Sequence, residues 1–158
     1  GSYGPTGGTM TDTLTLTSTV AESMTWRPLT VGEHASVDDA FETMERAGIA
    51  ACPVVDDQHQ LCGMVSRVDL LRALRPSREL RVLDAGEAGR LMVRDVMRCG
   101  VVTVEPEDPL VAAVDLFVDT RLHALPVVRR GSGRPVVVGI VTQGDALRHL
   151  MRGATRTR

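Results

Sequence analysis

Two stretches of the chain decide its fold: Gly63-Met-Val-Ser-Arg-Val-Asp69, and Gly139-Ile-Val-Thr-Gln-Gly-Asp145, which begins 76 positions later. The correspondence continues upstream, where a constant spacing of 73 positions relates Met24 to Met97. A three-residue insertion between the two regions accounts for the change of spacing. The chain therefore contains two copies of one unit of about fifty residues, and each copy buries a matching set of apolar positions.

Each copy has the pattern strand, helix, strand, strand, helix. In the first copy, Ser36 begins a helix with a capping pattern, and Gly48 ends it. Two apolar strands follow at 49–55 and 61–65, and a second helix covers 67–74. The second copy repeats this order. The continuous apolar runs indicate strands covered on both faces. The sequence thus predicts an α/β fold with two small sheets related by a pseudo-twofold axis.

The pattern divides the chain into five segments. These are a tag remnant and flexible N-terminal segment at 1–19, the first repeat at 20–75, a connection at 76–92, the second repeat at 93–151 and a basic tail at 152–158. Within the N-terminal segment, 11–19 could add an edge strand.

Composition excludes several classes of protein. The net charge is −2 and the aromatic fraction is 3%, which argues against a nucleic-acid surface. No apolar run is long enough to span a membrane. The three cysteines form no metal-ligand or redox spacing, and no signal peptide is visible, so a cytoplasmic protein without a metal is expected.

The sequence contains no motif of an active site. It has no nucleophile elbow, no zinc-protease helix and no phosphate-binding loop with lysine. The four histidines are scattered and have no Cys or Ser partner in a catalytic arrangement. We expect a protein that is not an enzyme and has no cofactor.

The doubled succession of strand, helix, Pro-Val-Val strand and Gly-x-x-Ser/Thr-x-x-Asp resembles the tandem CBS domains of a Bateman module, over about Val20–Leu150. The resemblance implies two repeats with pseudo-twofold symmetry, usually assembled as a homodimer. It also implies up to two clefts for adenosine-containing ligands such as AMP, ADP, ATP or S-adenosylmethionine.

In this family each cleft combines the opening strand and the residues before the proline of one repeat with the Ser/Thr and Asp of the other. Carried over to this chain, the first cleft takes Leu29, Thr30, Ala50, Ala51, Thr142 and Asp145. The second takes Val102, Thr103, Arg121, His123, Ala124, Ser66, Arg67 and Asp69.

The chemistry of these residues suits a nucleotide. An ionised Asp only accepts hydrogen bonds, which matches ribose hydroxyls, and a helix start attracts phosphate. The cations Arg121, His123 and Arg67 predict tighter binding of a phosphorylated ligand in the second cleft. Asp69→Ala is expected to weaken binding while leaving the fold largely intact. The alternative is that Ser/Thr-x-x-Asp merely caps a helix.

Two functions remain in competition at this stage. The first is a non-catalytic sensor that binds an adenosyl ligand and transmits its occupancy to an unidentified partner protein or through the oligomer. The alternative is a structural docking and dimerisation module whose clefts stay empty. Neither involves nucleic acid or a membrane.

Overall fold

A computed structural model of the protein describes residues 17–75 and 91–155. Most of the predicted N-terminal segment and of the predicted connection between the repeats therefore lies outside the described residues. None of the helices within these two ranges is long and apolar enough to cross a bilayer.

The described residues form an alternation of short helices and strands that confirms the predicted α/β class. The helices are α1 (Val20–Ser23), α2 (Val37–Ala47), α3 (Arg67–Leu74), α4 (Val93–Val96), α5 (Leu110–Thr120) and α6 (Gln143–Thr155). The strands are β1 (Thr25–Trp26), β2 (Val31–Gly32), β3 (Ala51–Val55), β4 (Leu61–Ser66), β5 (Ala124–Arg129) and β6 (Val136–Thr142).

These elements group into two compact units whose boundaries differ from those of the sequence repeats. The first unit contains 28–75, 91–102 and 130–137. The second unit contains 17–27, 103–129 and 138–155. The opening helix of each repeat thus belongs to the unit that holds the other repeat's strands.

The sheet of the first unit has the order β2-β3-β4, with β2 parallel to β3 and β3 antiparallel to β4. At its far edge, Arg98 forms an antiparallel bridge with Met64. The amide of Arg98 donates to the Met64 carbonyl at 2.8 Å, and the amide of Met64 donates back at 3.0 Å. The edge of the first repeat's hairpin is therefore paired with the opening segment of the second repeat, residues 93–98.

The sheet of the second unit repeats this arrangement. Its order is β1-β6-β5, and Val104 adds an isolated parallel bridge to Val127 beside β5. Thr25 of β1 pairs with Ile140 of β6 in antiparallel register. Because Thr25 corresponds to Arg98 and Ile140 to Met64 in the repeat, the two edge pairings are equivalent.

Each unit has its own apolar core. The core of the first unit contains Val31, Val37, Ala40, Met44, Cys52, Val54, Val65, Leu70 and Val93. The core of the second unit contains Val20, Met24, Val104, Leu110, Ala113, Phe117, Leu125, Val127, Val141 and Ala146. Val93 begins the second repeat but packs in the core of the first unit, and Val20 begins the first repeat but packs in the core of the second unit. The two repeats therefore exchange their opening segments.

Helix ends agree only partly with the sequence patterns. Ser36 accepts a hydrogen bond from the amide of Asp39, and Gly48 ends α2 with φ 65°, both as predicted. Thr19 makes no capping bond to α1, although its sequence has a capping pattern. Asp108 accepts from the amide of Glu105 instead of capping α5. The amides of a preceding turn compete with the amides of the helix for the same side-chain oxygen. The spacing in the sequence does not show which amide it will bind.

The residue that ends α5 is in an unfavourable conformation. Arg121 has φ 59°, in the left-handed region that Gly48 occupies at the same place in the first repeat. A left-handed conformation costs an L-residue about 1–2 kcal/mol, whereas glycine adopts it freely but loses more entropy on folding. Arg121 was predicted to supply a cation to a ligand in the second cleft. For the end of α5 itself its side chain is not needed, because Gly48 ends the equivalent helix of the first repeat without one.

We expect Arg121→Gly to raise the free energy of unfolding by about 0.5–1 kcal/mol, because relief of the left-handed strain exceeds the added entropy cost. Urea denaturation followed by circular dichroism measures the change. Gly48→Ala should have the opposite sign. A destabilised Arg121→Gly protein would contradict the strain argument.

Candidate ligand-binding site

The Ser-x-x-Asp turn of the first unit is a complete capping box at the start of α3. The Ser66 hydroxyl oxygen accepts from the amide of Asp69 at 3.1 Å, and Asp69 Oδ2 accepts from the amide of Ser66 at 2.9 Å. The Ser66 hydroxyl also donates to Asp69 Oδ2 at 2.9 Å. The capping interpretation of this motif is therefore confirmed, and binding of a ligand remains a prediction.

The Asp69 carboxylate is buried and paired with two arginines. Its side chain is 2% exposed, and its Oδ1 accepts from Arg72 Nη1 at 3.2 Å and from Arg98 Nε at 3.0 Å. A buried carboxylate is stable only when its charge and acceptor sites are satisfied. Because Asp69 closes the capping box and holds two cations, we now expect Asp69→Ala to cost stability as well as any ligand contact.

The Thr-x-x-Asp turn of the second unit has the same geometry. Asp145 Oδ2 accepts from the amide of Thr142 at 2.9 Å, and the Thr142 hydroxyl accepts from the amide of Asp145 at 3.0 Å. The other carboxylate oxygen of Asp145 accepts from Arg148. The Asp145 side chain is 11% exposed. Both acids therefore lie at the first turn of a helix and are largely shielded from solvent.

The residue after each Ser or Thr ties the helix to the strand entrance of its own unit. The amide of Arg67 donates to the Ala50 carbonyl at 2.9 Å, and Arg67 Nε donates to Ile49 at 3.2 Å. Arg67 also pairs with Glu45 at 3.0 Å. The Arg67 guanidinium was predicted to line the second cleft, and within its unit it is held by a carbonyl and a carboxylate.

Gln143 repeats this role in the second unit. Its amide donates to the His123 carbonyl at 3.0 Å, and its Nε2 donates to the Leu122 carbonyl at 2.8 Å. The side chain of His123 is exposed. The residue just before β3 and the residue just before β5, Ala50 and His123, are therefore each bonded to the first residue of their own repeat's last helix.

Each predicted cleft draws on both units. For the first cleft, Leu29, Thr30, Ala50 and Ala51 belong to the first unit, whereas Thr142 and Asp145 belong to the second. For the second cleft, Thr103, Arg121, His123 and Ala124 belong to the second unit, whereas Ser66, Arg67, Asp69 and Val102 belong to the first. Within a unit, the structure brings together Ala51 with Ser66, which are register partners in β3 and β4. The combinations across units remain predictions.

Arg98 is a residue near the candidate site that sequence reasoning missed. It lies 29 positions from Asp69 in the chain and contacts it only because the opening segment of the second repeat pairs with β4. The available signal was the difference between the copies, since Thr25 occupies the corresponding position.

Metal and thiol chemistry have no visible support in the described part of the chain. There, no group of three or more His, Cys, Asp or Glu side chains could hold a metal ion. Burial raises the pKa of the Cys52 thiol to about 11, so this core cysteine remains protonated at neutral pH. Cys52 is fully buried in the apolar core of the first unit.

The CBS domain family matches residues 19–76 and 93–152. The chain belongs to the CBS domain family. Two strand-helix-strand-strand-helix repeats, each ending in a capped Ser/Thr-x-x-Asp helix, are thus its CBS repeats.

Solved structures and curated relatives agree with this assignment. CBSX2 from Arabidopsis thaliana, crystallised in complex with AMP, is 33% identical, with a TM-score of 0.70 and coverage of 85% of this chain and 96% of CBSX2. The CBS domain of a CBS domain-containing membrane protein from Sphaerobacter thermophilus is 29% identical, with a TM-score of 0.68 and coverage of 88% and 91%. CBS domain-containing protein YhcV from Bacillus subtilis is 30% identical over 128 residues, which are 81% of this chain and 82% of YhcV.

Other relatives are much longer than this chain. It spans 42%, 24% and 14% of three curated relatives that it matches. Two of them are enzymes by name, homoserine O-acetyltransferase from Methanococcoides burtonii and A-adding tRNA nucleotidyltransferase from Aquifex aeolicus, of which the matches cover 24% and 14%. CBS pairs thus accompany enzymes as well as forming small proteins such as YhcV.

Proposed function

We propose that this CBS pair is a non-catalytic regulatory module that binds an adenosine-containing ligand and transmits its occupancy to a partner protein or through its own oligomer. The observation that carries the proposal is the paired Ser/Thr-x-x-Asp turn, which presents a capped, nearly buried carboxylate at the first turn of α3 and of α6. AMP, ADP, ATP and S-adenosylmethionine are the candidate ligands, and the CBSX2 complex favours AMP as the first to test.

The chemistry of the turns supports this ligand class. A carboxylate accepts the two adjacent hydroxyls of a ribose, and the amides of a helix N-terminus favour the phosphate that follows. The residue sets that we propose remain those carried over from the family, with Thr30 and Asp145 in one site and Thr103 and Asp69 in the other.

An exposed apolar residue after the opening segment of each repeat offers surface to a base. Leu29 and Val102 occupy equivalent positions in the two repeats, and each is 42% exposed. Ala50 and Ala124, before the prolines, are small and not buried. A binding site that is mostly apolar with few polar groups is typical for small molecules, so these residues suit an adenine ring.

We also propose that the protein is a homodimer in the cytoplasm. The last helix of each repeat exposes apolar side chains, Val68 and Leu71 on α3 and Leu147 on α6, with exposures of 55%, 69% and 58%. Such surfaces favour association between copies. The cysteines at 52, 62 and 99 are all free, which agrees with a reducing compartment.

A docking module with empty sites is the second candidate. The observation in its favour is that protein donors already occupy both oxygens of the Asp69 carboxylate. In that case the exposed helix faces would be the functional surfaces.

Isothermal titration separates the two functions. We expect the wild-type protein to bind AMP, and Asp145→Ala to weaken binding by about 1–3 kcal/mol, because a ligand hydrogen bond to a charged group is lost. Asp115→Ala removes the same side chain at an exposed position of α5 and is the matched control.

Titrations with ATP and S-adenosylmethionine extend the test to the other candidate ligands. The titrations are made at a protein concentration near 1 mM, where weak binding is still detectable. If none of the three ligands produces heat of binding, the docking function is favoured. AMP binding that Asp145→Ala leaves unchanged would contradict the assignment of that carboxylate.

A further inference from the structure

The carboxylates of Asp69 and Asp145 hold equivalent positions but differ in their occupancy by protein donors. Asp69 accepts four hydrogen bonds, from the amide and hydroxyl of Ser66, from Arg72 and from Arg98. An ionised carboxylate has about four acceptor sites, so those of Asp69 are filled.

The Asp145 carboxylate accepts fewer hydrogen bonds from protein donors. Among the described residues, its carboxylate accepts from the amide of Thr142 and from Arg148. Arg148 corresponds to Arg72 in the repeat, and Thr142 corresponds to Ser66. The partner that distinguishes the two acids most is therefore Arg98, since it is a second cation on Asp69.

The difference arises at one position of the exchanged edge. Arg98 forms its bridge with Met64, and Thr25 forms the equivalent pair with Ile140. The backbone is paired in the same way in both places, so the side chain alone decides whether a cation reaches the acid. A threonine at 25 is too short and uncharged.

Arg98 is attached firmly by its backbone and loosely by its side chain. Two hydrogen bonds to Met64 fix its main chain, whereas its side chain is 59% exposed. The guanidinium can therefore leave Asp69 for water at a small cost, as an exposed partner of an ion pair does. The carboxylate, at 2% exposure, has no such freedom and needs a replacement donor.

We propose that Arg98 is a built-in competitor for the Asp69 carboxylate, so that an adenosyl ligand binds more tightly through Asp145 and reaches Asp69 only by displacing the Arg98 guanidinium. This inference rests on the proposed function. It reverses the order expected from the sequence, where the cations near Asp69 favoured that site. Position 98 then sets the difference in affinity between the two sites.

The test uses the whole chain described here and adenosine, a probe that has ribose but no phosphate for Arg98 to bind. Asp145→Asn leaves Asp69 as the one ionised acid of the pair, and Asp69→Asn leaves Asp145. Addition of Arg98→Thr to the Asp145→Asn protein should raise adenosine affinity about tenfold, because the ribose no longer competes with a charged donor. The same change in the Asp69→Asn protein should alter affinity less than twofold.

Two further variants sharpen the assignment. Arg94→Thr removes an exposed arginine from α4 of the same unit and should leave adenosine affinity unchanged, which controls for net charge. Thr25→Arg in the Asp69→Asn protein should lower the affinity, because it places the competitor beside Asp145. Circular dichroism melting of each variant verifies that it is folded before titration.

The outcomes separate this inference from the proposed function. If the wild-type protein binds AMP but Arg98→Thr leaves adenosine affinity at Asp69 unchanged or lower, competition by Arg98 is wrong and the regulatory function stands. If neither AMP nor adenosine binds to any variant, both proposals are wrong. A gain confined to the Asp145→Asn protein supports the competition.

Discussion

Leu110→Ala should lower the free energy of unfolding by about 2–5 kcal/mol, the usual cost of removing a buried leucine side chain from a packed core. Leu110 is fully buried at the start of α5 and belongs to the core cluster that contains Phe117 and Leu125. Its amide also donates to the Ser18 carbonyl at 2.8 Å, so the helix start is held in place and cannot easily close the cavity.

Urea denaturation monitored by circular dichroism measures this loss. Val118→Ala on the exposed side of the same helix is the control, because Val118 is 73% exposed and its truncation should change stability by no more than about 0.5 kcal/mol. A loss below about 1 kcal/mol would contradict the packing of Leu110 described above.

The sequence was sufficient to predict most helices and strands of each repeat. The predicted helix at 67–74 has the bounds of α3, and Gly48 ends α2 as expected. These predictions succeed because they depend on local signals, a capping residue, a glycine or an alternation of apolar residues. The opening strand of the second repeat is weaker than predicted, since only Val104 forms a bridge.

The exchange of the opening segments could not be predicted in this way. Val20 and Val93 are equivalent in the repeat, and an exchanged or an unexchanged arrangement buries the same two side chains. The apolar pattern therefore does not distinguish a segment that packs on its own repeat from one that packs on the other. That choice depends on the length and path of the chain around 28–30 and 101–103, which carry no periodic signal.

The candidate site was predicted in part for the same reason. Ser66 and Asp69 were singled out together because they are three positions apart and share a local motif. Arg98 was missed because its contact with Asp69 follows from the exchange and not from any local spacing. A comparison of the two copies would have identified position 98 as one where the repeats differ in charge.

Two glycines, Gly63 and Gly139, lie where the exchanged opening segments approach the sheets most closely, and substitution there should have the second large effect on stability. An added Cβ at Gly63 would lie 2.5 Å from the carbonyl oxygen of Arg98 and 2.9 Å from the sulfur of Met97. At Gly139, the equivalent Cβ would lie 2.6 Å from Cε of Met24 and 2.9 Å from the carbonyl oxygen of Thr25. Each glycine therefore admits the opening segment of the other repeat against its strand.

Gly63→Ala should lower the free energy of unfolding by about 1–3 kcal/mol, because a methyl group is forced into a packed site. We expect a smaller loss for Gly139→Ala, since its neighbour at 2.6 Å is the end of a flexible methionine and its backbone neighbour lies at 2.9 Å. The backbone oxygen beside Gly63 is closer, at 2.5 Å, and its residue is held by two hydrogen bonds to Met64. Equilibrium unfolding in urea provides both values.

Gly131→Ala is the matched control. Nothing lies within 4 Å of a Cβ at Gly131, and its φ is not in the positive region, so alanine there should be neutral or stabilise by about 0.4–1 kcal/mol through the entropy of the unfolded chain. The expected order of stability is therefore Gly131→Ala, then Gly139→Ala, then Gly63→Ala. If Gly63→Ala were as stable as Gly131→Ala, the opening segment of the second repeat could not pair with β4, and the contact between Arg98 and Asp69 would be lost with that pairing.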